Sequence, residues 1–124
     1  MSKTTNPVNW FEIPATNIER AKTFYENVFG TNLDISEMGP YKMAFFPWDH
    51  QAAGCPGALV MGENYTPSHQ GSTVYFSVDN IDECLAKVKT ANGKVLQEKT
   101  SIGEHGAIAH FEDTEGNRVS LHSK

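Results

Sequence analysis

Two stretches of this chain spell the start and end of a helix in nearly the same letters, 63 residues apart. Asn17-Ile18-Glu19 running to Gly30 matches Asn80-Ile81-Asp82 running to Gly93. Each stretch follows a short apolar run, Trp10 to Ala15 in the first half and Val74 to Val78 in the second, and each precedes further strand-like segments. The repeat reads as one βαβββ unit used twice. A unit of this size cannot bury its sheet alone, so two copies must pair, and the groove between paired copies is the natural ligand site. The expectation is therefore an α+β chain of two tandem βαβββ modules, residues 1–64 and 72–124 of a single domain, whose strands form a cupped mixed sheet with the helices outside.

The local signals fill in this plan. Ala21, Phe24, Tyr25 and Val28 make the apolar stripe of the first helix, and Ile81, Cys84, Leu85 and Val88 that of the second. Thr16, three residues before Glu19, has capping-box spacing, and Gly30 is a left-handed stop. Asp79 or Asn80 caps the second helix and Gly93 stops it. Alternation predicts strands over 8–15, 33–38, 42–48 and 57–62, then 72–79, 94–99, 106–112 and 117–122. Asp113 to Asn117 is the turn of the last hairpin.

Period-two alternation also sorts side chains by face. Phe11 and Ile13 belong under the first helix, leaving Trp10, Glu12 and Pro14 toward the groove. Val74, Phe76 and Val78 go under the second, leaving Thr73, Tyr75 and Ser77. In the last hairpin Ala109, Phe111, Val119 and Leu121 take the core side. Ile108, His110, Glu112, Arg118, Ser120 and His122 take the groove side.

Composition excludes several partners. A net charge of −5 with no Lys/Arg cluster does not suit a phosphate backbone, so nucleic acid is not expected. No apolar run approaches the length needed to span a bilayer, and the opening Met-Ser-Lys-Thr-Thr-Asn-Pro lacks a signal-peptide core, so the expectation is a cytoplasmic protein without membrane contact. Two cysteines make no disulfide framework: Cys84 lies on a buried stripe, and Cys55 sits in a loop without an activating neighbour.

The chain resembles the vicinal oxygen chelate superfamily, which includes glyoxalase I, bleomycin- and fosfomycin-resistance proteins and extradiol dioxygenases. The resemblance rests on Phe11-Glu12-Ile13-Pro14 leading into Asn17 to Tyr25, on Val28-Phe29-Gly30, and in the second half on Val78 to Asp82, Gly93-Lys94-Val95 and Phe111 to Asn117. It covers nearly the whole chain and is strongest toward small glyoxalase-like members. It implies a cup of two modules, usually in dimers, and a divalent metal with four protein ligands. Carried over by spacing, those ligand positions fall on Trp10, Thr73, Ser120 and the 57–61 segment, which has no His, Asp or Glu. Indole and hydroxyl groups are poor ligands for a dissociable divalent ion, so no cofactor is expected at the family's positions.

The remaining chemistry lies on the groove face. Glu12, His110 and His122 are the candidate catalytic residues, and together they match a displaced two-His-one-carboxylate metal site. Trp10, Phe46, Thr73, Tyr75, Ile108 and Ser120 are the candidate ligand-binding residues. Gly103 and Gly106 flank Glu104-His105 as hinges of a possible lid. Three functions fit: a small-molecule-binding homodimer that uses no metal, a glyoxalase-like lyase or isomerase moving a proton next to a carbonyl, and a partner-binding module with a closed pocket.

Overall fold

A computed structural model describes residues 6–124; the first five residues, which the expected first module includes, lie outside the described residues. Module one consists of β1 (Phe11–Pro14), α1 (Ile18–Phe29), β2 (Asp34–Met38), β3 (Tyr41–Phe45) and β4 (Gly57–Met61). Module two repeats the order with β5 (Tyr75–Ser77), α2 (Ile81–Thr90), β6 (Lys94–Ser101), β7 (Ala107–Glu112) and β8 (Arg118–Ser123), plus a 3₁₀ turn at Gly103–His105. The sheets run β1-β4-β3-β2 and β5-β8-β7-β6, each with one parallel pair at its start and antiparallel pairs beyond. The duplicated α+β plan is the observed fold.

Both helices form for the reasons the sequence gives, with corrections at their ends. The N-cap of α1 is Asn17, whose side chain accepts from Arg20 N at 3.0 Å. Thr16 is not the cap; its amide and hydroxyl both donate to Glu115, on the hairpin turn of module two. Gly30 stops α1 in the left-handed region at φ 63°. Asn80 caps α2. Its left-handed residue is Asn92, at φ 74°, whereas Gly93 is there for space. A Cβ on Gly93 would lie 2.7 Å from the Phe24 ring and 2.8 Å from the Glu112 carbonyl.

The edge strands β1 and β5 are shorter than alternation suggests, at four and three residues. Among the described residues each pairs on one side only, and Trp10 and Thr73 precede their strands. β6 runs longer, to Ser101, through two register shifts against β7.

One apolar core serves both modules. Ile13, Phe24, Tyr25, Leu59, Leu85, Val88, Phe111 and Leu121 all belong to it. Phe24 meets Phe111 and Tyr25 meets Phe76, so α1 packs against module two as well as its own sheet. No strand pairing joins the two sheets among the described residues. Burying the apolar stripes of both helices removes several large side chains from water, each worth about 1.5–3 kcal/mol before ordering costs.

A polar clasp reinforces that core. Asp113, 3% exposed, accepts from Tyr25 Oη at 2.7 Å and from Asn117 Nδ2 and two turn amides. Glu115 takes the amides of Thr16 and Asn17 and pairs with Arg20 at 2.7 Å. Burial pushes the Glu115 carboxyl up, but these donors outweigh it and hold the group at about 2.

Candidate functional site

The faces turned away from the helices carry the chemistry. On module one, Glu12 lies opposite Ala58, which lies opposite Phe45, so a carboxylate and a ring flank a fully buried small residue across three strands. Trp10 Nε1 donates to Glu12 Oε2 at 3.1 Å, and Tyr65 Oη donates to Glu12 Oε1 at 2.7 Å. The bond to Glu12 raises the Tyr65 pKa, keeping its proton in place. Trp10 also meets Phe45, with ring centres 6.0 Å apart, and Tyr41 meets Tyr65 at 5.6 Å.

On module two the register sets His110 opposite Ser120 and Ile108 opposite His122, so the two histidines are diagonal neighbours on one face. His110 Nδ1 bonds to Ser120 Oγ, and Tyr75 packs edge-on to His110. Ser120 is fully buried beneath them. Burial lowers the His110 pKa and the nearby Arg118 lowers it further, so the imidazole is neutral near pH 7. His122 Nε2 donates to the His105 carbonyl at 2.7 Å, which places a proton on Nε2 and turns Nδ1 away from that contact. The same bond, with Ile102 N to Gly106 O at 2.8 Å, ties the 3₁₀ turn to the sheet. Gly106 is needed there because a Cβ would run into the Ser123 carbonyl. The segment read as a lid is therefore pinned.

The expected set divides into three places. Trp10 and Glu12 share the face of module one. Tyr75, Ile108, His110, Ser120 and His122 share the face of module two. Phe46 sits among Phe11, Tyr25 and Phe76 where the modules meet. It lines, with Thr73, Tyr75, Cys84 and Glu83, a crevice of about 920 Å³ between α2, β5 and the 46–56 loop. Burial raises the Cys84 thiol to about 11, so it is unreactive there.

The donor set does not fit the family's metal. Its positions hold an indole at Trp10, an exposed hydroxyl at Thr73 and a buried one on Ser120 that is engaged by His110. Among the described residues no three His, Cys, Asp or Glu side chains lie close enough to hold an ion, because Glu12 is on one module and the histidines are on the other.

Sequence reasoning missed two residues that shape these faces. Tyr65 sits in a loop read only as a connection, and nothing local marks it as the second donor to Glu12. Glu115 appeared as a turn letter; its reach to α1 is a contact between residues 95 to 99 positions apart.

Fold and faces together describe a glyoxalase-type domain, and comparison agrees. The family model of the Glyoxalase/Bleomycin resistance protein/Dioxygenase superfamily matches residues 8–121, and the chain belongs to this superfamily. A glyoxylase-like domain-containing protein of Didymella fabae is 32% identical over 118 residues, covering 92% of this chain and 91% of its own length. Among solved structures, a glyoxalase-related enzyme from Fulvimarina pelagi has a TM-score of 0.71 at 13% identity, covering 97% of this chain and 89% of its own. Glyoxalase I from Zea mays has a TM-score of 0.67 at 18% identity; the match covers 94% of this chain but 46% of the maize protein. At these identities the two structures attest to the fold. No helix among the described residues is long and apolar enough to cross a membrane.

Proposed function

We propose that this protein binds small organic molecules on the outward faces of its two sheets, without a metal at the positions used by metal-dependent members of the superfamily. The observation that carries the reading is the pairing of exposed aromatic surface with fixed polar groups. Trp10 and Tyr75 are 38% and 49% exposed, yet each packs against a held polar side chain, Glu12 or His110. Apolar area with a few convergent polar groups is what small-molecule sites use. In this reading the protein works as a homodimer, in which module one of one copy faces module two of the other. The edges of β1 and β5, which have no partner strand among the described residues, are suited to that approach.

A second reading rests on His110. A neutral imidazole whose Nδ1 is held by Ser120, beside His122 with its own Nδ1 turned away from the His105 contact, is equipped to take a proton next to a carbonyl. That is glyoxalase-like lyase or isomerase chemistry. Glu12 of one copy could join the histidines of another only in the dimer.

A thermal-shift screen of chelator-treated protein separates the two. The binding reading expects organic compounds to raise the Tm while Zn, Ni, Fe(II), Mn and Mg leave it unchanged. A divalent ion that raises the Tm, with the effect lost in His110→Ala and His122→Ala, favours the catalytic reading with a composite metal site. A screen without any organic hit sinks the binding reading.

A further inference from the structure

We propose that the outward face of module one recognises an organic ammonium ion, an alkylated amine held between Glu12 and the rings of Trp10, Tyr41, Phe45 and Tyr65. The proposal rests on the small-molecule reading and supplies its ligand class.

The argument starts from what Glu12 lacks. Among the described residues, no Lys, Arg or His lies within ion-pair distance of its carboxylate. Its two contacts are neutral donors, an indole N–H and a phenol O–H. These orient the carboxylate without cancelling its charge. They also leave part of its acceptor capacity open, since an ionised carboxylate offers about four lone-pair sites and two are taken.

The surroundings select among cations. Trp10 and Phe45 converge with ring centres 6.0 Å apart, and Tyr41 and Tyr65 meet at 5.6 Å. Ring faces carry negative quadrupole charge and attract a cation placed over them, most strongly when water is excluded. Ala58, fully buried, lies between Glu12 and Phe45 across the three strands. A hard metal ion needs several oxygen ligands and finds one carboxylate. A primary ammonium needs three acceptors and finds the unfilled part of one group. An N-alkylated amine instead presents apolar methyl groups to the rings and its charge to Glu12, so it matches both. An anion is repelled by the carboxylate.

Choline and tetramethylammonium are the probes, with 3,3-dimethylbutan-1-ol as the neutral counterpart of choline in shape. The reporter is the Trp10 indole N–H cross-peak in a ¹H–¹⁵N NMR spectrum, because that proton is the one donated to Glu12. Trp48, 61% exposed, is replaced in Trp48→Phe so that a single indole signal remains. Both ammonium ions are expected to shift the Trp10 signal saturably, and the neutral alcohol is not. Glu12→Gln should weaken binding about tenfold or more. Phe45→Leu, which leaves the carboxylate untouched, should weaken it several-fold and stands in if Glu12→Gln fails to fold.

Equal shifts from choline and the alcohol would overturn the proposal, leaving only an apolar patch. So would an indole signal that no ammonium moves. If the thermal-shift screen still yields organic hits in that case, the small-molecule reading survives and its ligand class is wrong. If it yields none, both fall.

Discussion

Ser120 shows how one residue can be placed correctly in sequence and still surprise. Alternation put it on one face with His110, and it shares that face, yet it is fully buried beside Tyr75 and His110. Its hydroxyl is spent on His110 Nδ1, which turns a surface histidine into an oriented one. The consequence is measurable. The His110 pKa should fall below the ordinary 6.5 in an NMR titration, and Arg118→Gln should recover the smaller part of the shift, since burial is the larger cause. The sign for stability follows. A lowered pKa in the fold favours the neutral form, so this contribution is complete above about 6.5 and is lost as pH falls through that value toward the folded pKa. Side-chain faces were legible for Glu12, His110 and His122 because a strand's period fixes them. Partners such as Tyr65 were not, because a loop has no period from which to read direction.

The helices and the last hairpin were legible as elements, since their stripes and turn letters are local. The hairpin's role as a clasp was not. Its tip supplies Glu115 to the first turn of α1, where a carboxylate also complements the helix dipole. Glu115→Gln should cost about 2 kcal/mol at pH 7, discounted because Arg20 is half exposed while Glu115 is buried. With its carboxyl held at about 2, the clasp contributes fully above about 4.5 and is lost as pH falls from there to about 2. Urea unfolding across that range checks it: wild type and Glu115→Gln should converge in acid and separate above it. Parallel curves would show that the charge does not matter. The duplication makes the contrast sharper. Glu83 of α2 stands where Arg20 stands in α1, and there the 46–56 loop leaves a crevice in place of a clasp. The repeat was visible in the letters; this asymmetry was not, because it depends on how two unlike loops fold back.

At the scale of the molecule, the sequence leaves open whether the pocket completes within one chain or across two. One chain provides two sheets around a shared core, with Trp10 and Glu12 on one outward face and His110 and His122 on the other. Under the proposed homodimer, a second copy would complete a groove with both sets. Light scattering after gel filtration should then give twice the 13.7 kDa chain mass, and the Tm should rise with protein concentration. A monomer whose Tm is independent of concentration would leave each face to act alone. The missing information is physical: the pattern of one chain says which side of a sheet is apolar, but not whether the opposite side faces water or another copy.

The clasp bears on the order in which a ribosome delivers the chain. The amides of Thr16 and Asn17 are made well before the carboxylate they bind, which arrives only with residue 115. Module one thus leaves the exit tunnel without the Glu115 contacts at the first turn of α1, and with Phe24 still lacking its contact to Phe111. Translation that stops before this hairpin therefore yields a chain without the clasp.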